Sequence, residues 1–123
     1  MNIITLMGRL TKDVDVRTTG SGLKVANFTL AVDRDYVRKD AGENEPTADF
    51  LNCVAWRQLA EYLEKYSSKG MRILATGKVQ TRTWEDEDGG THYVTEVVCD
   101  SVKVLDYKES TKEPAKKNGK YRK

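Results

Sequence analysis

Apolar and polar residues alternate along most of this sequence, and a period of two is the spacing of a β-strand. Such β-like runs cover residues 2–10, 11–18, 23–33, 50–56, 71–85 and 91–105. One segment breaks the pattern, because its apolar residues recur every three to four positions. These residues are Leu59, Tyr62, Leu63 and Tyr66. The change of period predicts a single amphipathic helix over about 57–68, ended by Lys69-Gly70.

Turn-forming residues divide the strands. Thr19–Gly22 and Asp86–Gly90 predict tight turns, and the polar stretch 35–49 predicts a long hairpin loop. Gly8, inside the first strand, predicts a bend or a close neighbour. Residues 2–18 count as one interrupted strand, so the helix falls between the third and fourth of five long strands. This order predicts a mainly β fold, a five-stranded Greek-key barrel of the OB type with one α-helix.

The last 18 of the 123 residues differ from the rest in charge. Residues 106–123 carry seven basic and three acidic residues, a net charge of +4, whereas residues 1–105 carry 14 basic and 16 acidic ones. Because 106–123 are polar and nearly devoid of apolar residues, we predict a disordered basic tail after one domain over 1–105. The net charge of the domain alone does not identify a partner. A prediction of one has to rest on where the charged residues lie.

Several classes of protein receive no support from the sequence. No apolar run approaches the roughly 20 residues that span a membrane, and the first residues lack a signal-peptide pattern. We therefore expect a cytoplasmic protein without a membrane partner. Cys53 and Cys99 are too far apart in sequence to suggest a metal site, and we expect two buried thiols. His92 is expected at the surface, and no catalytic residue, metal or cofactor is predicted.

Four aromatic residues stand at positions where the pattern favours contact with a partner. Tyr36 opens the polar loop, Phe50 and Trp56 share one face of a strand, and Trp84 lies beside the charged turn. Exposed apolar rings mark contact surfaces, and a base that stacks on such a ring contributes about 1–3 kcal/mol. The alternative interpretation for Phe50 and Trp56 is that they face the core.

Basic residues are interleaved with these rings, and each can neutralise a phosphate. They are Arg9, Arg34, Arg38, Arg57, Lys78 and Arg82. Cations and rings on neighbouring strands predict binding of single-stranded DNA by stacking and phosphate contacts, with little regard to sequence. The acidic turn Glu85–Asp88 opposes this interpretation locally.

Ordered stretches along the whole domain carry a resemblance to a known family. They include Gly8–Leu10, Val25–Ala31, Leu59–Glu61, Lys69-Gly70, Gly77, Thr81-Arg82, Trp84 and Tyr93–Val98. Over residues 1–105 the sequence resembles the bacterial and phage single-stranded DNA-binding proteins. The resemblance implies an OB-fold, a homotetramer or at least a dimer, and a role in DNA replication, recombination or repair. It also implies base stacking at Tyr36, Phe50, Trp56 and Trp84, of which Tyr36 and Phe50 replace tryptophan.

The end of the sequence departs from this family. Its members commonly close on an acidic tip with a Pro-Phe dipeptide that binds replication and repair proteins. The present sequence closes on Lys116–Lys123, which is rich in lysine. Any partner proteins are therefore expected to bind elsewhere than at such a tip.

Two further functions use the same kind of barrel. A metal-dependent nuclease needs converging acids, for which Asp33, Asp35 and Asp49 are the candidates. An OB module that binds RNA, tRNA or another protein is the second alternative. The sequence holds no Gly-rich phosphate-binding motif, which argues against an ATPase.

Overall fold

The computed structural model describes residues 1–35 and 47–107. In chain order its elements are β1 (Ile4–Leu10), β2 (Asp15–Thr18), β3 (Lys24–Asp33), β4 (Ala48–Trp56), α1 (Gln58–Tyr66), β5 (Arg72–Glu85) and β6 (Thr91–Val104). Strands β1 and β2 together form the interrupted first strand of the prediction. The mainly β fold with one helix before the last two strands is confirmed. Ala48 and Asp49, assigned to the loop from the sequence, belong to β4.

The strands close into a barrel. Hydrogen bonding follows the order β1-β5-β6-β4-β3-β2, and β1 also pairs with β3 at Arg9 and Leu10. Every neighbouring pair is antiparallel except β4 and β6, which run parallel where Cys53 faces Val97 and Val54 faces Val98. Because β1 reaches both β5 and β3, the sheet wraps back on itself in the manner of an OB barrel.

Gly8 lies close to β3, directly before the residues of β1 that pair with it. A methyl group on this residue would stand 2.7 Å from the carbonyl oxygen of Ala31 and 3.0 Å from Val32. The close neighbour predicted for Gly8 is thereby confirmed. Shortly after it the first strand is interrupted, and the Asp13 carboxylate accepts a hydrogen bond of 2.7 Å from the backbone N–H of Lys69. This bond fastens the interruption to the end of the helix.

The interior of the barrel is small and apolar. Its largest fully buried side chains are Leu30, Leu63 and Ile73, and α1 reaches the interior through Ala60 and Leu63. Cys53 and Cys99 lie in the same core as free buried thiols, which confirms their predicted role. A hydrogen bond with Cys99, together with burial, raises the pKa of the Cys53 thiol and keeps it neutral.

Candidate nucleic-acid interface

Three of the predicted binding residues share one side of β5. Lys78, Arg82 and Trp84 are separated by even numbers of residues, so their side chains leave the strand on the same side. Lys78 lies opposite Val98 of β6, and Val98 lies beside Val54 of β4. This register continues the same side of the sheet from β5 across β6 to β4.

On β4 this side presents the two predicted aromatic residues. Phe50 and Trp56 alternate in phase with Val54, and the two residues are 67% and 41% exposed. The opposite side of the strand supplies Cys53 and Ala55 to the core. The alternative that both rings face the core is therefore wrong. We call this outward surface, which is the candidate for contact with DNA, the binding face and define it by Phe50, Trp56, Lys78, Arg82 and Trp84.

Arg57 lies at the edge of the binding face, directly after Trp56. Its backbone N–H donates to the Lys24 carbonyl at 2.8 Å, and the chain then turns into α1. The turn requires a φ of 59° at Arg57, a conformation that residues with a Cβ rarely adopt. Backbone strain of this kind collects at functional positions and is maintained by the surrounding structure.

Arg82 is held in place by a hydrogen bond to a residue of the neighbouring strand β6. Its Nε donates to Glu96 at 3.0 Å, and the Glu96 side chain is only 15% exposed. Within the part of the chain that the structure describes, the terminal nitrogens of Arg82 make no hydrogen bond. A guanidinium fixed through Nε in this way presents its remaining donors to an anion outside the barrel.

Arg9 and Arg34 are engaged by the protein itself. Arg9 Nη1 donates to the Gly70 carbonyl at 3.0 Å. On the sheet, Arg9 lies opposite Ala31, and Ala31 lies opposite Phe50, so Arg9 extends the row that contains this ring. Arg34 forms a salt bridge with the Asp49 carboxylate in which both Nε and Nη2 donate, with an Nη2–Oδ1 distance of 2.9 Å. The hydrogen bonds from Arg34 lower the pKa of Asp49.

The remaining predictions for this region have different outcomes. Tyr36 and Arg38 lie outside the described residues, as do residues 108–123 of the predicted tail. Asp33, Asp35 and Asp49 do not form the metal cluster that a nuclease needs, and residues 1–35 and 47–107 contain no group of three or more His, Cys, Asp or Glu side chains placed to hold a metal. The same two ranges contain no helix long and apolar enough to cross a membrane.

Trp84 has a neighbour that the alternation of residues along its strand does not indicate. The His92 ring stacks on the indole, with 4.3 Å between the centroids and 16° between the planes. The Nε2 atom of His92 lies 2.7 Å from Asp86 Oδ2 in the adjacent turn. The sequence predicts only that His92 lies at the surface. Counting outward from the turn would have found the pair, because Glu85 faces Thr91 and Trp84 faces His92.

A closed OB-type barrel with rings and cations on one outward face defines a class of single-strand binding modules. Similarity to known proteins points to the same class. This chain belongs to the single-strand binding protein family, whose model matches residues 1–105.

Relatives of known name are similar over most of the chain. The "Single-stranded DNA-binding protein 1" of Streptococcus pyogenes is 47% identical over 111 residues, which are 90% of this chain and 83% of the relative. The "Single-stranded DNA-binding protein 2" of Listeria monocytogenes is 48% identical over 118 residues, 96% of this chain and 72% of the relative. A solved structure, the Plasmodium falciparum SSB complex with ssDNA, matches with a TM-score of 0.75 at 26% identity, covering 86% of this chain and 96% of that one.

Proposed function

We propose that this chain binds single-stranded DNA with little regard to sequence and holds single strands open during replication, recombination or repair in the cytoplasm. The observation that carries the proposal is the binding face, where exposed rings and cations share one outward surface. Stacking uses the flat face of a base, which every base offers, so it requires no readout of base edges. The names of the relatives support the same conclusion.

The side chains divide into two roles. Phe50, Trp56 and Trp84 stack on bases, while Arg57, Lys78 and Arg82 neutralise phosphates. Arg9 adds a cation beside the row of Phe50. Arg34 has to exchange the Asp49 carboxylate for a phosphate, so we expect it to contribute less. From the sequence alone we add Tyr36 as a ring and Arg38 as a cation.

The mechanism is mass action and involves no chemical step. A protein that binds only the unpaired form of DNA shifts the equilibrium between hairpins and open strands toward the open strands. Neither a cofactor nor a catalytic residue is required for that shift. The barrel contributes a rigid surface on which several bases are held at once.

The decisive experiment removes one tryptophan at a time. Trp56→Ala and Trp84→Ala should each weaken binding of oligo-dT by about 1–3 kcal/mol, because each change removes one stacking partner. The measurement is a titration with labelled oligo-dT, supported by the quench of intrinsic fluorescence. Tyr66→Ala is the matched control, since Tyr66 is an exposed ring on α1 and away from the binding face. Unchanged affinity in both tryptophan variants would place the DNA elsewhere.

We also propose that the chain assembles with copies of itself, as a tetramer or at least a dimer. Met7 of β1 and Leu74 of β5 lie opposite each other and are 51% and 37% exposed. Ile4–Gly8 bonds to β5 on one side, and no described strand pairs with its other edge. An unpaired strand edge beside exposed apolar side chains is a surface suited to a second copy.

A further inference from the structure

Trp84 does not stand as an isolated ring, because one of its two faces is already covered. The imidazole of His92 lies nearly parallel to the indole at 4.3 Å between centroids. The two residues form a cross-strand pair of β5 and β6, next to the turn that joins these strands. Trp84 is nevertheless 47% exposed, so its other face remains open to a partner.

His92 is itself held by the turn. Its Nε2 lies 2.7 Å from Asp86 Oδ2, while Asp86 Oδ1 accepts hydrogen bonds from the backbone N–H groups of Asp88 at 3.0 Å and Gly90 at 2.8 Å. These bonds, the one with His92 first, lower the pKa of Asp86 and keep it ionised. A single carboxylate therefore fixes the shape of the turn and the orientation of the imidazole.

We propose that His92 is a positioning residue for DNA binding, which covers one face of Trp84 and holds the indole ready for a base on the opposite face. The proposal rests on the stacking role proposed above for Trp84. A side chain that becomes immobilised on binding costs free energy, and a ring that is already held costs less. Asp86 then supports the binding face indirectly, although its charge alone would repel a phosphate.

The test uses a Trp56→Phe background, in which Trp84 is the sole tryptophan of the chain. Three variants are compared there: His92→Ala, His92→Phe and Tyr93→Ala. Trp84→Ala in the same background serves as the reference for affinity alone. His92→Phe keeps a ring against Trp84 without the hydrogen bond to Asp86. Tyr93→Ala is the matched control, because Tyr93 is the next residue of β6 and leaves the strand on the opposite side.

Two properties are measured in each variant: quenching of Trp84 fluorescence by acrylamide without DNA, and the dissociation constant for oligo-dT. His92→Ala should increase the quenching and weaken binding by roughly 2- to 10-fold, the cost of fixing one free side chain. His92→Phe should restore both properties, and Tyr93→Ala should alter neither. Thermal unfolding of each variant verifies that the barrel is intact.

The outcomes separate this proposal from the one on which it rests. If Trp84→Ala weakens binding in the same background while His92→Ala does not, the positioning role is overturned and the stacking role stands. If His92→Phe binds as weakly as His92→Ala, the ring contact is not the cause, and the proposal is overturned as well. If Trp84→Ala binds normally, the stacking role of Trp84 fails together with the role of its neighbour.

Discussion

Gly77 illustrates how much a single residue of β5 decides. The pairing of β5 with β6 shifts its register between Thr76 and Gly77, and a methyl group on Gly77 would stand 2.8 Å from the Cα of Cys99. The same methyl group would overlap the carbonyl oxygen of Val98. Only the absence of a side chain lets the two strands approach here.

We therefore expect Gly77→Ala to lower the free energy of unfolding by about 1–3 kcal/mol or more, since the strands have to separate locally to accept the methyl group. Chemical denaturation measures the change. Gly20→Ala is the matched control, because no atom lies within 4 Å of a methyl group at that position, and its stability should stay nearly unchanged. Equal stability of the two variants would show that the register shift tolerates a side chain.

At the scale of elements, β5 and β6 are fastened together at the end remote from the turn. The backbone N–H of Arg72 donates to Asp106 Oδ2 at 2.7 Å. The Nη2 atom of the Arg72 side chain donates to Asp106 Oδ1 at 2.8 Å. Asp106 thus bonds to the barrel, although the charge pattern of the sequence places it as the first residue of the tail. The hydrogen bonds from Arg72 lower the pKa of Asp106.

The lowered pKa of Asp106 predicts that the stability of the fold depends on pH. A carboxyl whose pKa is lower in the folded than in the unfolded chain stabilises the fold fully above its unfolded pKa, and the contribution disappears as the pH falls through the folded pKa. Asp106→Asn should therefore lower the melting temperature at pH 7, and its difference from the unaltered chain should shrink below about pH 4. Thermal unfolding from pH 7 to pH 3 measures this. Asp100→Asn is the control, because Asp100 is an exposed carboxylate within β6. A difference independent of pH would contradict the ion pair as the cause.

At the scale of the whole molecule, the proposed self-association places the surface of Met7 and Leu74 between two copies. Met7→Glu would bury a charge there, so we expect the dissociation constant of the assembly to rise by at least roughly tenfold. Sedimentation at micromolar concentration measures it, with the nearly isosteric Met7→Leu as the control. A single monomeric species for the unaltered chain would refute the proposal.

The basic end of the chain gives a second prediction at this scale. For single strands, the logarithm of affinity falls with the logarithm of salt concentration by about 0.7 per neutralised phosphate. If two to four of the seven cations in 108–123 engage DNA, a chain that ends at Tyr107 should show a slope flatter by roughly 1.4–2.8. Ending at Tyr107 retains the bond between Asp106 and Arg72. Equal slopes for both chains would show that these cations stay off the DNA.

Much of the fold can be read from local spacing. Period-two runs locate the strands and separate Phe50 and Trp56 from Cys53 on β4, because successive side chains point to opposite sides of a strand. The change of period at Leu59 locates the helix within two residues at each end. The hairpin register that pairs Trp84 with His92 follows from the position of the turn.

The arrangement of the binding face depends on barrel closure instead. No local pattern indicates that β4 pairs in parallel with β6. Nor does one indicate that Arg82 donates a hydrogen bond to Glu96, or that Arg72 donates one to Asp106. The sequence by itself determined the approximate extents of the strands, helix and turns and which residues share a side of each strand, since these depend on neighbours along the chain. It left open whether the side of Phe50 and Trp56 faces the core or the solvent. Only the tertiary structure decided that Trp56 and Trp84 share one surface, because strands far apart in sequence become adjacent only when the sheet closes around its core.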